Sequence, residues 1–232
     1  MVLRQVVYGV CVVALVGGCG ATQQARDVET SGFLGEDYAL LRQGGENESL
    51  LTYRAPDADW RAYDKIQLDP VTVWTRDGSA FKDASAAERQ QLADDLYAAV
   101  YKELAEDYQM VSAPGPGVMR IQVALTDAQA SNPMLDTVST VMPAGLAVSG
   151  ATGLVTGKPG FVGEARAEAK VTDATTGELL GAAADRRVGG KSLGGSIDSW
   201  DDADQAFQYW AEQFRYRLCT QRGDTDCEPP EA

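Results

Sequence analysis

Apolar residues fall along the chain in two rhythms, one of period two and one of helical spacing. In "YDKIQLDPVTVW", residues 63–74, Ile66 and Leu68 share one phase and Val71 and Val73 the other, with Pro70 between them. A phase change at a proline predicts an edge strand or a bulge, because proline gives no N–H to a ladder. "SAAE", Ser85–Glu88, has the form of a capping box, in which serine and glutamate satisfy each other's free backbone donors at a helix start. Leu92, Leu96, Val100 and Leu104 then recur every four residues, which predicts a helix with one buried stripe. "APGPG" at 113–117 ends that unit. "VMRIQVALTDA" alternates Met119, Ile121, Val123 and Leu125, a strand with one buried face.

The clearest strand signal is "EARAEAKV", 164–171. Ala165, Ala167, Ala169 and Val171 face one way, and Glu164, Arg166, Glu168 and Lys170 the other. "TDATTGE" supplies turn residues in Asp173 and Gly177, and "LLGAAADRRV" returns as the hairpin partner. The inward residues are mostly alanine, which predicts a helix pressed closely on that face. The last helix supplies it: Ala203, Ala206, Phe207, Trp210, Ala211, Phe214 and Leu218 form one stripe at helical spacing. Asp201, Asp202 and Asp204 at its start, and Arg215, Arg217 and Arg222 near its end, suit the helix dipole. Gly223 is a natural stop. Strands, hairpin and helices in the order β-α-β-(insertion)-β-β-α predict an α+β fold, a two-layer mixed sheet with helices on one face. An N-terminal arm, 32–62, precedes it, with Phe33, Leu34, Tyr38, Leu40, Leu41, Tyr53 and Trp60 as apolar anchors. The single domain spans 32–222, with a Gly/Ala-rich insertion at 131–160 and a C-terminal tail at 223–232.

The start of the chain reads differently. Val6–Val16 is an apolar run of eleven residues with Arg4 as the only charge before it. That is shorter than the roughly 20 residues of a membrane span but suits the core of a secretory signal, here 1–18. "LVGGC" follows and resembles a bacterial lipobox. The resemblance implies that Cys19 becomes the acylated N-terminus, and several acyl chains anchor a protein stably. Gly20 stands where the family's inner-membrane retention signal would place an aspartate. By resemblance, the expected address is the outer membrane, periplasmic face. Residues 19–31 are polar, without periodicity, and read as a flexible tether.

Charge narrows the partners. The chain carries −14 at pH 7. Without residues 1–18, which hold one basic and no acidic residue, the balance is 19 − 34 = −15. Such a surface opposes nucleic acid and anionic headgroups. Of the four cysteines, Cys11 leaves with the signal and Cys19 carries lipid. Cys219 and Cys227, eight apart in "CTQRGDTDC", read as a disulfide in an oxidising compartment, with two free thiols as the alternative. With no histidine in the chain, no metal site or cofactor is expected.

The insertion holds "SGATGLVTGKPG", 149–160, which imitates a phosphate loop and fails on spacing. A Walker loop requires glycine five residues before its Gly-Lys pair and a hydroxyl after the lysine. Thr152 and Pro159 occupy those places, so no nucleotide is expected. Ser149, Gly153 and Gly157 form a small-residue ladder instead, and Asp136 is the only charge from Pro133 to Thr156. Such ladders let helices approach closely. Three readings stay open: a helical hairpin packed on the domain, an oligomer or partner contact, and a membrane-inserting hairpin.

Catalytic carriers are scarce. Histidine, the commonest general base, is absent. Asp69, Asp127 and Asp185 lie on or near strands, and paired carboxylates serve glycoside hydrolysis. With 34 acidic residues in the chain, some near strands are inevitable. Asp57, Asp59, Asp201 and Asp202 read as acidic surface, and Arg186-Arg187 as a surface pair with nearby acids.

Finally, "SGFLGEDYALL", "YDKIQLDPVTVW" and "FVGEARAEAKVTDATTGELLGAAADRR" resemble the DUF3313 family of bacterial lipoproteins, over nearly the whole mature chain. That family has no assigned activity, so the resemblance implies a periplasmic lipoprotein domain and supplies no catalytic residue. The topology is similar, more loosely, to lipoprotein domains of secretion and envelope-assembly machines. The expectation is a non-catalytic outer-membrane lipoprotein that serves as a binding or assembly module. Its partner is an unidentified envelope protein or a second copy, met through the insertion and the sheet edge. The alternative is a peptidoglycan- or sugar-active enzyme using paired aspartates.

Overall fold

The structure is a computed structural model, and it describes residues 22–75, 79–130, 163–189 and 200–230. Cys19, Ser149, Gly153 and Gly157 lie outside them. The described residues form an α+β fold, one mixed nine-stranded sheet with two long helices. The strands are β1 Gln23–Gln24, β2 Arg42–Gln43, β3 Leu51–Arg54, β4 Lys65–Leu68, β5 Thr72–Val73, β6 Gln109–Met110, β7 Val118–Gln129, β8 Glu164–Asp173 and β9 Leu179–Val188. The helices are α1 Ala86–Leu104 and α2 Asp201–Arg222.

The sheet runs β2-β3-β9-β8-β7-β4-β6, with β1 added to β9 and β5 to β7. β4 and β5 both run parallel to β7 and are separated at Asp69–Val71, where Pro70 interrupts the ladder. β7, β8 and β9 are antiparallel neighbours and the longest strands. Ile121, Val123 and Leu125 pair with Val171, Ala169 and Ala167, so these six share one face. A register shift between Leu125 and Asp127 re-aims the last residues of β7. Ala128 now joins the core, and Asp127 turns to the other face beside Arg166.

Both helices pack on the Ile121 face, in one apolar cluster with β7. α1 begins at the expected capping box: Ser85 Oγ accepts from the Glu88 amide, and Glu88 accepts from the Ser85 amide. Leu92, Leu96, Val100 and Leu104 are all buried. α2 buries Ala203, Ala206, Phe207, Trp210, Ala211 and Leu218 and stops at Gly223, whose φ of 74° is a left-handed cap. The Cys219–Cys227 disulfide then ties the tail back to α2.

Residues 27–38, the end of the polar stretch and the start of the arm, cover the opposite face, whereas Trp60 lies on the helix face. The polar stretch expected to be a loose tether is bound to the domain from Thr22 onward: Gln23 and Gln24 pair with Val188 and Arg187 as β1. The arm also adds the β2–β3 hairpin to the sheet edge beside β9. Leu34 and Trp60 are buried anchors, whereas Leu40 is exposed rather than anchored. No described helix is long and apolar enough to cross a membrane.

Candidate functional site

On the helix face, α2 spans the β8–β9 hairpin without closing on it. A cavity of about 120 Å³ remains between them. Its floor is Ala167, Ala169 and Ala183, all only half-buried. Its walls include Trp60, Trp210 and Phe214. The expected tight seat of a helix on the alanines is therefore corrected: the small side chains leave room that α2 does not fill. Gly181 serves the same space, since a Cβ there would lie 3.7 Å from the Trp60 indole and 3.3 Å from the Tyr53 carbonyl oxygen.

Two buried polar side chains line the cavity. Asp185 is 3% exposed and receives three donors. Its Oδ1 accepts from Gln24 Nε2 at 3.0 Å and from the Leu50 amide at 2.9 Å, and Oδ2 accepts from Trp210 Nε1 at 2.8 Å. Burial pushes its carboxyl up, against those donors, which favour the charged form. One carboxylate thus joins β1, the β2–β3 hairpin and α2. Gln213, 4% exposed, accepts from Ser49 Oγ at 3.2 Å through Oε1, while its Nε2 has no hydrogen-bond partner. At the rim, Arg217 pairs with Glu48.

The arm face is built from charges. Glu164 takes Arg186 at 2.7 Å and Arg166 at 3.2 Å. Arg186 also reaches Asp27, and Arg166 reaches Glu29, both in the polar stretch before the arm. Glu168, 1% exposed, accepts from the Ser31 amide at 2.8 Å and from the Tyr38 hydroxyl. Burial first, and Glu168 second, raise the Tyr38 phenol above its ordinary range. Asp127 accepts from Ser79 Oγ at 2.8 Å.

These placements separate the three candidate aspartates. Asp127 pairs with Arg166, and Asp185 pairs with Ala167. Consecutive strand residues point to opposite faces, so Asp127 and Asp185 are divided by the sheet. Asp69 sits in an ion pair with Arg120 at 2.7 Å, and its amide bonds the Ile121 carbonyl. Asp127 lies six positions along β7 from Ile121, roughly 15–20 Å of strand, beyond the reach of a glycosidase pair. Arg186 and Arg187 are not a surface pair: both are buried, one on each face. Arg187 lies 3.3 Å over the Tyr209 ring and donates to Thr22, and burial lowers its pKa. Asp202 is buried rather than part of the acidic surface, and accepts from the Gly163 amide at 2.7 Å. Among the described residues, no group of three His, Cys, Asp or Glu side chains converges on a metal-sized site.

A family model described as "Protein of unknown function (DUF3313)" matches residues 29–214. The chain belongs to this family. The DUF3313 match runs from Glu29, which binds Arg166, to the middle of α2, and so spans both faces of the sheet. No curated protein matches the chain. Two solved structures are similar in outline, both of PelC dodecamers from Paraburkholderia phytofirmans. One, a leucine-to-methionine variant, is 8% identical with a TM-score of 0.38 and covers 75% of this chain and 96% of its own. The other is 9% identical with a TM-score of 0.36 and covers 73% and 95%.

Proposed function

We propose that this DUF3313 protein is a non-catalytic binding or assembly module of the cell envelope, held at the periplasmic face of the outer membrane by lipid on Cys19. The observation that carries the non-catalytic part is the separation of Asp69, Asp127 and Asp185, each held by its own partners. A carboxylate that accepts three donors is a structural tie, poorly placed to move a proton. The envelope address rests on the lipobox-like "LVGGC" that follows a signal-like apolar run. Assembly rests on the ladder Ser149, Gly153 and Gly157 within a nearly uncharged insertion.

Three measurements test the parts separately. Cys19→Ala abolishes fatty-acid labelling if the anchor is right; unchanged labelling removes it. Muropeptide release by the wild type, lost in Asp69→Asn or Asp127→Asn, would replace this reading with the glycan-cleaving one. Light scattering of the detergent-extracted protein, with and without residues 133–159, tests assembly. A large oligomer that collapses to a monomer on deletion makes the insertion the assembly element, and a monomer in both cases sends the search to a different protein.

A further inference from the structure

We infer that the cavity under α2 is a binding site for a small, mostly apolar molecule that carries one hydrogen-bond acceptor. The inference goes beyond the envelope role and holds whatever anchors the chain. Three observations carry it together. The space exists in the folded chain, about 120 Å³ over an alanine floor. An apolar cavity of about 150 Å³ takes a benzene ring, so the room suits one ring or a short run of methylenes. Trp60, Trp210 and Phe214 supply aromatic walls, the usual lining of small-molecule sites.

The polar groups set the ligand's chemistry. Asp185 is saturated by donors from Gln24, Leu50 and Trp210 and offers an entering molecule little. Gln213 is different: it lines the same cavity, and its Nε2 is a buried donor that finds no acceptor in the protein, while Gln221, also on the lining, keeps an unmatched Oε1. A buried donor left unmatched is costly, and a carbonyl, carboxylate or ester oxygen entering the cavity would match it. A free small carboxylic acid or ketone and the end of a lipid acyl chain share this chemistry.

The test is the melting temperature of the full chain, followed by tryptophan fluorescence, since Trp60 and Trp210 line the site. The probes are benzene, acetophenone, hexanoate and dihexanoyl-phosphatidylcholine below its micellar concentration. A ligand that binds the native state raises the melting temperature with concentration. Acetophenone and hexanoate are expected to raise it more than benzene does. Gln213→Leu should weaken acetophenone about tenfold, as for one lost hydrogen bond, and leave benzene unchanged. Ala169→Leu, which fills the floor, should abolish every shift. A response to the phosphatidylcholine as strong as to hexanoate assigns the site to a lipid chain; a response to the free molecules alone assigns it to a soluble ligand. No shift with any probe, or equal losses for benzene and acetophenone in Gln213→Leu, overturns the inference.

Discussion

Glu168 and Ala169 are neighbours on β8, yet they look into different chemistry. Ala169 faces α2 across space that stays partly open, with mostly apolar walls and unmatched amide atoms on Gln213 and Gln221. Glu168 faces the N-terminal arm, is closed to solvent, and has a donor on each carboxylate oxygen. The helix face is mostly apolar and loosely filled. The arm face is polar and largely matched, although Arg166 Nε is buried without a partner. A sheet covered on both sides needs no polar face, so the second arrangement asks for a reason. Charged residues can be buried there because the stretch from Asp27 to Tyr38 brings Asp27, Glu29, Ser31 and Tyr38 to meet them. Stability on that side depends on complementarity, and on the other side on area.

The comparison breaks most visibly at Arg186. Arg186→Met leaves Glu164 buried beside one remaining arginine and should cost about 3–5 kcal/mol in urea unfolding. Replacing Glu164 by leucine in the same chain should recover most of that loss, because a buried pair is costly mainly when broken. Asp185→Ala comes next. It strips the Leu50 amide and Trp210 Nε1 of their acceptor, while Gln24 Nε2 keeps the Glu48 carbonyl, for roughly 2 kcal/mol at about 1 kcal/mol or more per stranded donor. β1 and the β2–β3 hairpin should then exchange amide hydrogens faster than β7.

The smallest effect lies in the β8–β9 turn, outside both faces. Asp173 accepts from the Thr175 and Thr176 amides and from the Tyr63 hydroxyl, chiefly the Thr176 amide, and its carboxyl is held below the usual range. Tyr63 is pushed up to about 12, by burial first and Asp173 second. A lowered carboxylate stabilises the fold at pH above its unfolded value, and that contribution fades as pH falls through the folded value. A raised phenol stabilises below its unfolded value, and its share is lost as pH rises toward about 12. Asp173→Asn should therefore lower the Tyr63 midpoint in an ultraviolet titration. It should cost about 1 kcal/mol or less, given the exposure of the turn.

Much of this architecture was legible in the pattern of residues. The Ser85–Glu88 box, the α1 stripe, the α2 stripe and the β8 alternation are local signals, and each appears where its period places it. β1, β2 and β6 have two residues each, too few for any period, and their pairing depends on partners brought from elsewhere in the chain. The cavity was hidden for a different reason. Alanines on a strand are compatible both with close packing and with empty space, and the height of α2 above them is a tertiary quantity. The charged face had a readable clue. Phe33, Leu34 and Tyr38 needed a surface to cover, and a tyrosine that packs on a protein usually finds a partner for its hydroxyl. The uncovered side of β8 offered Glu168.

The most direct measurement compares two leucines at adjacent positions, by thermal unfolding of Glu168→Leu and Ala169→Leu. Glu168→Leu should melt well below the wild type, since it strands the Ser31 amide and the Tyr38 hydroxyl, for roughly 2–4 kcal/mol. Ala169→Leu should melt at or above the wild type, because it enters existing space. If Ala169→Leu is destabilised as much as Glu168→Leu, the helix face is closely packed after all, and the contrast between the two faces fails.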